Sequence, residues 1–245
     1  MDVKLLFQTH RLSAFQPHNN RLRNDAKLNR TVWLRPFSKI MVTINTVKAS
    51  GTDPSPSVYH DTWLDRLAIN HFSNVIQDLA GIKVKQQGYD GLVEASRTVY
   101  QNLDAIQQRE FSLKTLNEAF PPQIVYLIRA TGAPIILSKQ VFAKIGSFSF
   151  GWLVGPSEVR ESELRGRREK NVMYLKKCRF LESSNCIGMC INQCKFPTQT
   201  FLKESLGMPV NMIPNYEDMS CEIRFGEEPP ASDDDPVSKQ PCYKL

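Results

Sequence analysis

The chain has 245 residues, 31 Lys and Arg against 25 Asp and Glu, and 41% hydrophobic side chains. That is enough apolar content for a packed core, too much for a disordered chain, and a length for one domain or two small ones. A net charge of +6 with a pI near 9.0 raises the possibility of a nucleic-acid partner, and the distribution of that charge removes it.

Residues 1–50 carry nine basic and two acidic side chains, a net +7, which leaves −1 on the other 195 residues. A basic, acid-poor leader with Ser and Thr but no continuous apolar run reads as a disordered organelle transit peptide. The working part is then residues 51–245, a single near-neutral domain. Its longest run without a charged side chain, Ile145–Ser157, has thirteen residues, short of the about 18–20 that a membrane-spanning helix needs.

After a Pro/Ser linker at Thr52–Ser57, the spacing predicts a helix over Tyr59–Ala80. Asp61 or Thr62 would be its N-cap, Gly81 its stop, and Leu64, Ala68, Phe72, Val75, Ile76 and Leu79 its buried face. Tyr89–Leu103 and Gln107–Ala119 read as two more helices, the last stopped by Pro121-Pro122. Val141–Val154 holds Phe142, Phe148, Phe150 and Trp152. It reads as a core element, or more sharply as an apolar groove wall or membrane-surface patch that would bind a lipophilic substrate. Arg160–Lys170 mixes both charge signs and reads as a solvated connector.

Downstream the period changes to two. Val172–Leu181 and Ser220–Phe225 alternate as strands, with a cysteine loop and a helix over Pro197–Leu206 between them, closed by Gly207. Gly226–Leu245 reads as loosely ordered. The fold class is therefore α+β: an N-terminal helical layer, then a small antiparallel sheet with a Cys-rich loop and helix in the part spanning 172–226.

All six cysteines lie in the last 68 residues, and Cys186, Cys190 and Cys194 form C-x3-C-x3-C. Closely spaced thiolates suit zinc or iron–sulfur chemistry. On one continuous helix, residues 186 and 194 would be about 12 Å apart along the axis, too far for one ion. A loop opened by Gly188 and Asn192, with Cys178 or Cys221 as a fourth ligand, would gather them. Disulfides and buried free thiols are the plainer alternatives. Beyond the leader only His60 and His71 remain, so a four-histidine iron site is excluded, and no G-x-S-x-G or H-E-x-x-H motif is present.

Lys177–Phe225, with Tyr59–Ser73, Trp152–Glu163 and Lys239–Cys242, closely resembles the plant β-carotene isomerase family of strigolactone biosynthesis, the dwarf-twenty-seven type. The resemblance implies a plastid isomerase that interconverts all-trans- and 9-cis-β-carotene and contains iron; the Phe142–Trp152 stretch would admit this carotenoid substrate from a thylakoid or envelope membrane surface. It sets Cys178, Cys186, Cys190, Cys194 and Cys221 at the family's cysteine positions as candidate metal ligands, with iron held singly or as an iron–sulfur cluster. Cys242 also matches, and Ser157 stands where some members have cysteine. No catalytic residue carries over. The alternative is a non-enzymatic plastid carotenoid- or lipid-binding protein, or a thiol-redox protein, with a Cys-bound metal.

Overall fold

The computed structural model describes residues 57–241 apart from 121, 124, 127–138, 165 and 233. The proposed transit segment and Cys242 lie outside the described residues. Three helices come first: α1 (Trp63–Ala80), α2 (Gly88–Asn102) and α3 (Ala105–Ala119). Thr62 caps α1 through a reciprocal box, its hydroxyl accepting from the Asp65 amide at 3.2 Å while the Asp65 carboxylate accepts from the Thr62 amide at 2.8 Å. Gly81 ends the helix in the left-handed region at φ 66°. The start is four residues later than the periodicity predicts, and Leu64 is 56% exposed rather than buried. Ile69, Ser73 and Ile76 form the inner face. The third helix starts earlier than predicted because Asp104 and Gln107 make a second capping box.

The aromatic-rich stretch forms α4 (Lys139–Ser149) and the short α5 (Gly151–Val154). A β-hairpin follows, β1 (Ser157–Leu164) and β2 (Arg167–Leu175). The charged segment read as a connector is thus most of this hairpin, turning at Gly166 with φ 74°. Its charges alternate on strands whose outer faces meet solvent, so no apolar period marks it. Then come α6 (Arg179–Ser184), α7 (Ile187–Met189), a six-residue π-turn (Cys190–Lys195), α8 (Phe196–Leu206), β3 (Val210–Pro214) and β4 (Cys221–Phe225).

All strand pairs are antiparallel, in the order β1-β2-β4-β3. Cys221, Ile223 and Phe225 alternate inward along β4. At the Phe225 end of that face, α4 comes so near that a Cβ on Gly146 would stand 3.3 Å from the Met173 sulfur and 3.5 Å from the Phe225 ring. At the Cys221 end lie α6 and the π-turn. One core gathers on the sheet around Met173, Leu175, Cys221 and Ile223, and another lies between α1 and α2 around Ile69, Leu92 and Val99.

Arg179 joins the two. Its Nη1 donates to Asp61 Oδ1 at 2.6 Å and to the Trp152 carbonyl at 3.1 Å, its Nη2 donates to Asp61 Oδ2 at 2.9 Å, and its plane lies 3.7 Å from the Tyr89 ring centroid. The side chain is 6% exposed. A lysine has neither the fork nor the flat face for this position. Arg179→Lys is expected to cost about 3 kcal/mol, the magnitude of breaking a buried pair, read as a lowered midpoint in urea unfolding at unchanged far-UV circular dichroism.

Candidate functional site

The C-x3-C-x3-C segment does not fold as a loop. Cys186 precedes α7, Cys190 and Cys194 sit on the π-turn, and the chain runs without a break into α8. The Phe196 amide reaches back five residues to the Ile191 carbonyl, the bond that widens a helix into a π-turn and is common at functional sites. Helices α2 and α3 clamp this segment. Gln193 donates to the Ser96 carbonyl at 2.9 Å, Arg109 to the Asn192 side-chain oxygen at 2.9 Å, and Arg97 to the Ser184 carbonyl at 2.8 Å. Gly188 is obligatory in this packing, since a Cβ there would lie 2.3 Å from the Tyr100 hydroxyl oxygen.

Four cysteines meet at one small cavity of about 20 Å³: Cys178 at the head of α6, Cys190 and Cys194 on the π-turn, and Cys221 on β4. Cys186 does not line it and is half-buried elsewhere. None of the five is in a disulfide. Cys178 is held by its amide, which donates at 2.7 Å to the carbonyl of Met219. Met219 itself stands in the left-handed region at φ 61°, a costly conformation for a long side chain. The fixed point it gives Cys178 is the return for that strain.

The cavity is apolar apart from its sulfurs and Lys195. Burial pushes all four thiols up. Cys178 rises, Cys190 and Cys221 rise well above their ordinary value with neighbouring sulfurs adding to the effect, and Cys194 is pushed up to about 12. The thiols are therefore protonated near neutrality. Three polar residues that sequence reasoning did not single out stand beside them. Lys195, 3% exposed, pairs with Asp235, 1% exposed, at 2.6 Å. The Tyr216 hydroxyl is buried with no hydrogen-bond partner among the described residues, and burial, with nearby sulfurs, raises its pKa. Asp235 also caps a short 3-10 turn, Pro236–Lys239, accepting from the Val237 amide. The stretch after Gly226, expected to be loose, is thus anchored by two buried residues, Asp235 and Val237.

Four thiols around one cavity match the donor type and number that iron takes in thiolate sites. Their spacing does not match: among the described residues no three His, Cys, Asp or Glu side chains converge on one ion position. The cavity has room for about one water molecule. The thiols would also have to lose their protons to become ligands.

The four aromatic residues singled out as a substrate surface share no single face. Phe142 packs on Phe225 with ring centroids 5.9 Å apart, Phe148 is 92% exposed, Phe150 meets Phe120 at 6.1 Å, and Trp152 meets Phe72 at 5.8 Å. His60 is exposed, and the His71 ring lies 3.3 Å from the Ala119 carbonyl.

Residues 152–234 match the family model described as beta-carotene isomerase D27-like, C-terminal. A Medicago truncatula protein named beta-carotene isomerase D27, chloroplastic, is 55% identical over 189 residues, covering 77% of this chain and 75% of its own length. An Arabidopsis thaliana protein of the same name is 40% identical, covering all of this chain and 96% of its own. No solved structure matches.

The buried thiols make stability depend on pH in a stated direction. The Cys194 thiol rises from 9.0 to about 12 in the folded state, so between those values the native protein keeps a proton that the unfolded chain has released. The stability due to this thiol is complete below pH 9 and is lost as pH rises toward 12. In metal-free protein, Cys194→Ala is expected to flatten the decline by up to about 1.4 kcal/mol per pH unit, measured by urea unfolding between pH 8 and 11.

Proposed function

Because the chain belongs to the D27-like β-carotene isomerase family, we propose that it interconverts all-trans- and 9-cis-β-carotene, with iron, as the entry step of strigolactone biosynthesis. Family membership makes it a carotenoid isomerase, and the chloroplast assignment of both relatives puts it in the plastid. One observation carries the reading: every residue that lines the thiol cavity, from Val154 to Ile223, lies inside the matched segment 152–234.

Rotation about a polyene double bond requires its π-order to fall and then recover. An electron passing to or from the polyene would do this, as would reversible addition of a sulfur centre. Iron, when bound, would supply one-electron chemistry without consuming the substrate. Cys178, Cys190, Cys194 and Cys221 are the side chains that would hold it, as thiolates. Cys186, half-buried and away from the cavity, would take part only with a local rearrangement of α7. The ammonium of Lys195 lowers the energy of negative charge on Cys190 and Cys221, which favours thiolates once a cation enters. Substrate would arrive from a membrane surface; among the described residues no helix is long and apolar enough to cross a bilayer.

Protein purified without oxygen and mixed with all-trans-β-carotene in detergent micelles is expected to yield the 9-cis isomer by chiral or C30 chromatography. The same final ratio should be reached from the 9-cis side. An unchanged ratio would remove the isomerase reading in favour of a carrier. Iron and acid-labile sulfide should be present in the active protein. Cys190→Ser should lower both iron content and rate at least tenfold while the far-UV circular dichroism is kept. Full activity in protein without iron would sink the metal.

A further inference from the structure

A second cavity, about 60 Å³ and open to solvent, lies among α1, α2 and α3. Phe72, Leu92, Val99, Phe111 and Leu116 supply most of its apolar wall, and no charged side chain lines it. Two of its polar side chains are turned to the backbone: the Thr115 hydroxyl donates to the Phe111 carbonyl at 3.0 Å, and the Gln193 amide donates to the Ser96 carbonyl at 2.9 Å. Ser96, Ser112 and Thr198 are its other polar side chains, so the ligand such a wall suits is uncharged and mainly hydrocarbon.

Cys194 lines this cavity and the thiol cavity as well. Among the described residues it is the one that lines both. We infer that the cavity among α1, α2 and α3 receives part of the polyene hydrocarbon, and that Cys194 is the cluster thiol that touches it. The inference rests on the carotenoid isomerase reading and gives it a substrate site. It moves that site from the Phe142–Trp152 stretch, where Phe148 stands in solvent and Phe142 is packed on the sheet, to a cavity whose wall residue Phe72 packs against the last residue of that stretch, Trp152.

The volume sets how the substrate lies. About 60 Å³ is less than the roughly 150 Å³ of a cavity that admits one benzene, so neither end of a long polyene is engulfed. The molecule lies along the open mouth, with one stretch seated between α2 and α3 above Cys194 and the remainder in the lipid or detergent that delivered it.

β-Carotene is achiral and gains circular dichroism in its visible absorption band only when a chiral site holds it. Wild-type protein mixed with all-trans-β-carotene in micelles is expected to show that band. Ser112→Trp, which overfills the cavity from α3, should abolish the band and slow isomerisation at least tenfold while the far-UV circular dichroism is kept. A folded S112W with wild-type band and rate overturns the placement and leaves the isomerase reading standing. A wild-type protein that neither shows the band nor isomerises the substrate ends both. Should S112W not fold, two near-isosteric exchanges decide. Thr115→Val should tighten binding about twofold and Val99→Thr weaken it at least threefold; unchanged affinity in both overturns the inference.

Discussion

A guanidinium taken out of water must have its donors and its face matched, or the fold loses several kcal/mol. At Arg179 the match draws on three separate parts of the chain. Asp61 comes from the segment ahead of α1, Tyr89 from α2, the Trp152 carbonyl from α5, and Tyr59 contributes a second ring 4.6 Å away. With the bonds from α2 and α3 to the cysteine segment, those contacts tie the helical layer to the core on the sheet. Cys178 is the preceding residue, so the same set of contacts fixes where the first cavity thiol stands. Glu182 on the same short helix repeats the arrangement on a smaller scale, accepting from the Ser57 amide and the Tyr59 hydroxyl.

The cavity that results is an unusual chemical setting. Four weak acids are kept neutral by apolar walls, yet a full ion pair, Lys195 with Asp235, is buried against them. The ammonium works against that neutrality at Cys190 and Cys221, where it lowers the energy of a negative charge. Tyr216, with its unpartnered hydroxyl, is the remaining polar group near the sulfurs.

The sequence made the helical layer legible because α1, α2 and α3 bury one face each, and α1 and α3 carry their own N-caps. The Asp104-x-x-Gln107 box was also there to be found and would have corrected the start of α3. β4 was readable from its alternation. β3 was not, because Val210, Asn211 and Met212 are all buried and a strand covered on both faces loses its period. At the site, the cysteines announced themselves, but which of them meet depends on the π-turn. Asp235 sits in an acidic run that ordinarily means solvent, and its partner is 40 residues away. No local pattern distinguishes a buried member of such a run from an exposed one.

The π-turn sets a limit on chain length that the rest of the molecule does not share. It holds one residue more than an α-helix would need over the same rise, and α8 continues from it without a linker that could absorb a change. Loss of one residue between Cys190 and Cys194 would restore ordinary helical pitch and leave the two thiols three positions apart, about 60° from each other around the axis. The spacing at which they now meet the cavity would be lost. Substitutions can be compensated by neighbours; a deletion here cannot. Among diverging copies of this chain, the interval between these two cysteines should keep its length more strictly than its side chains keep their identity.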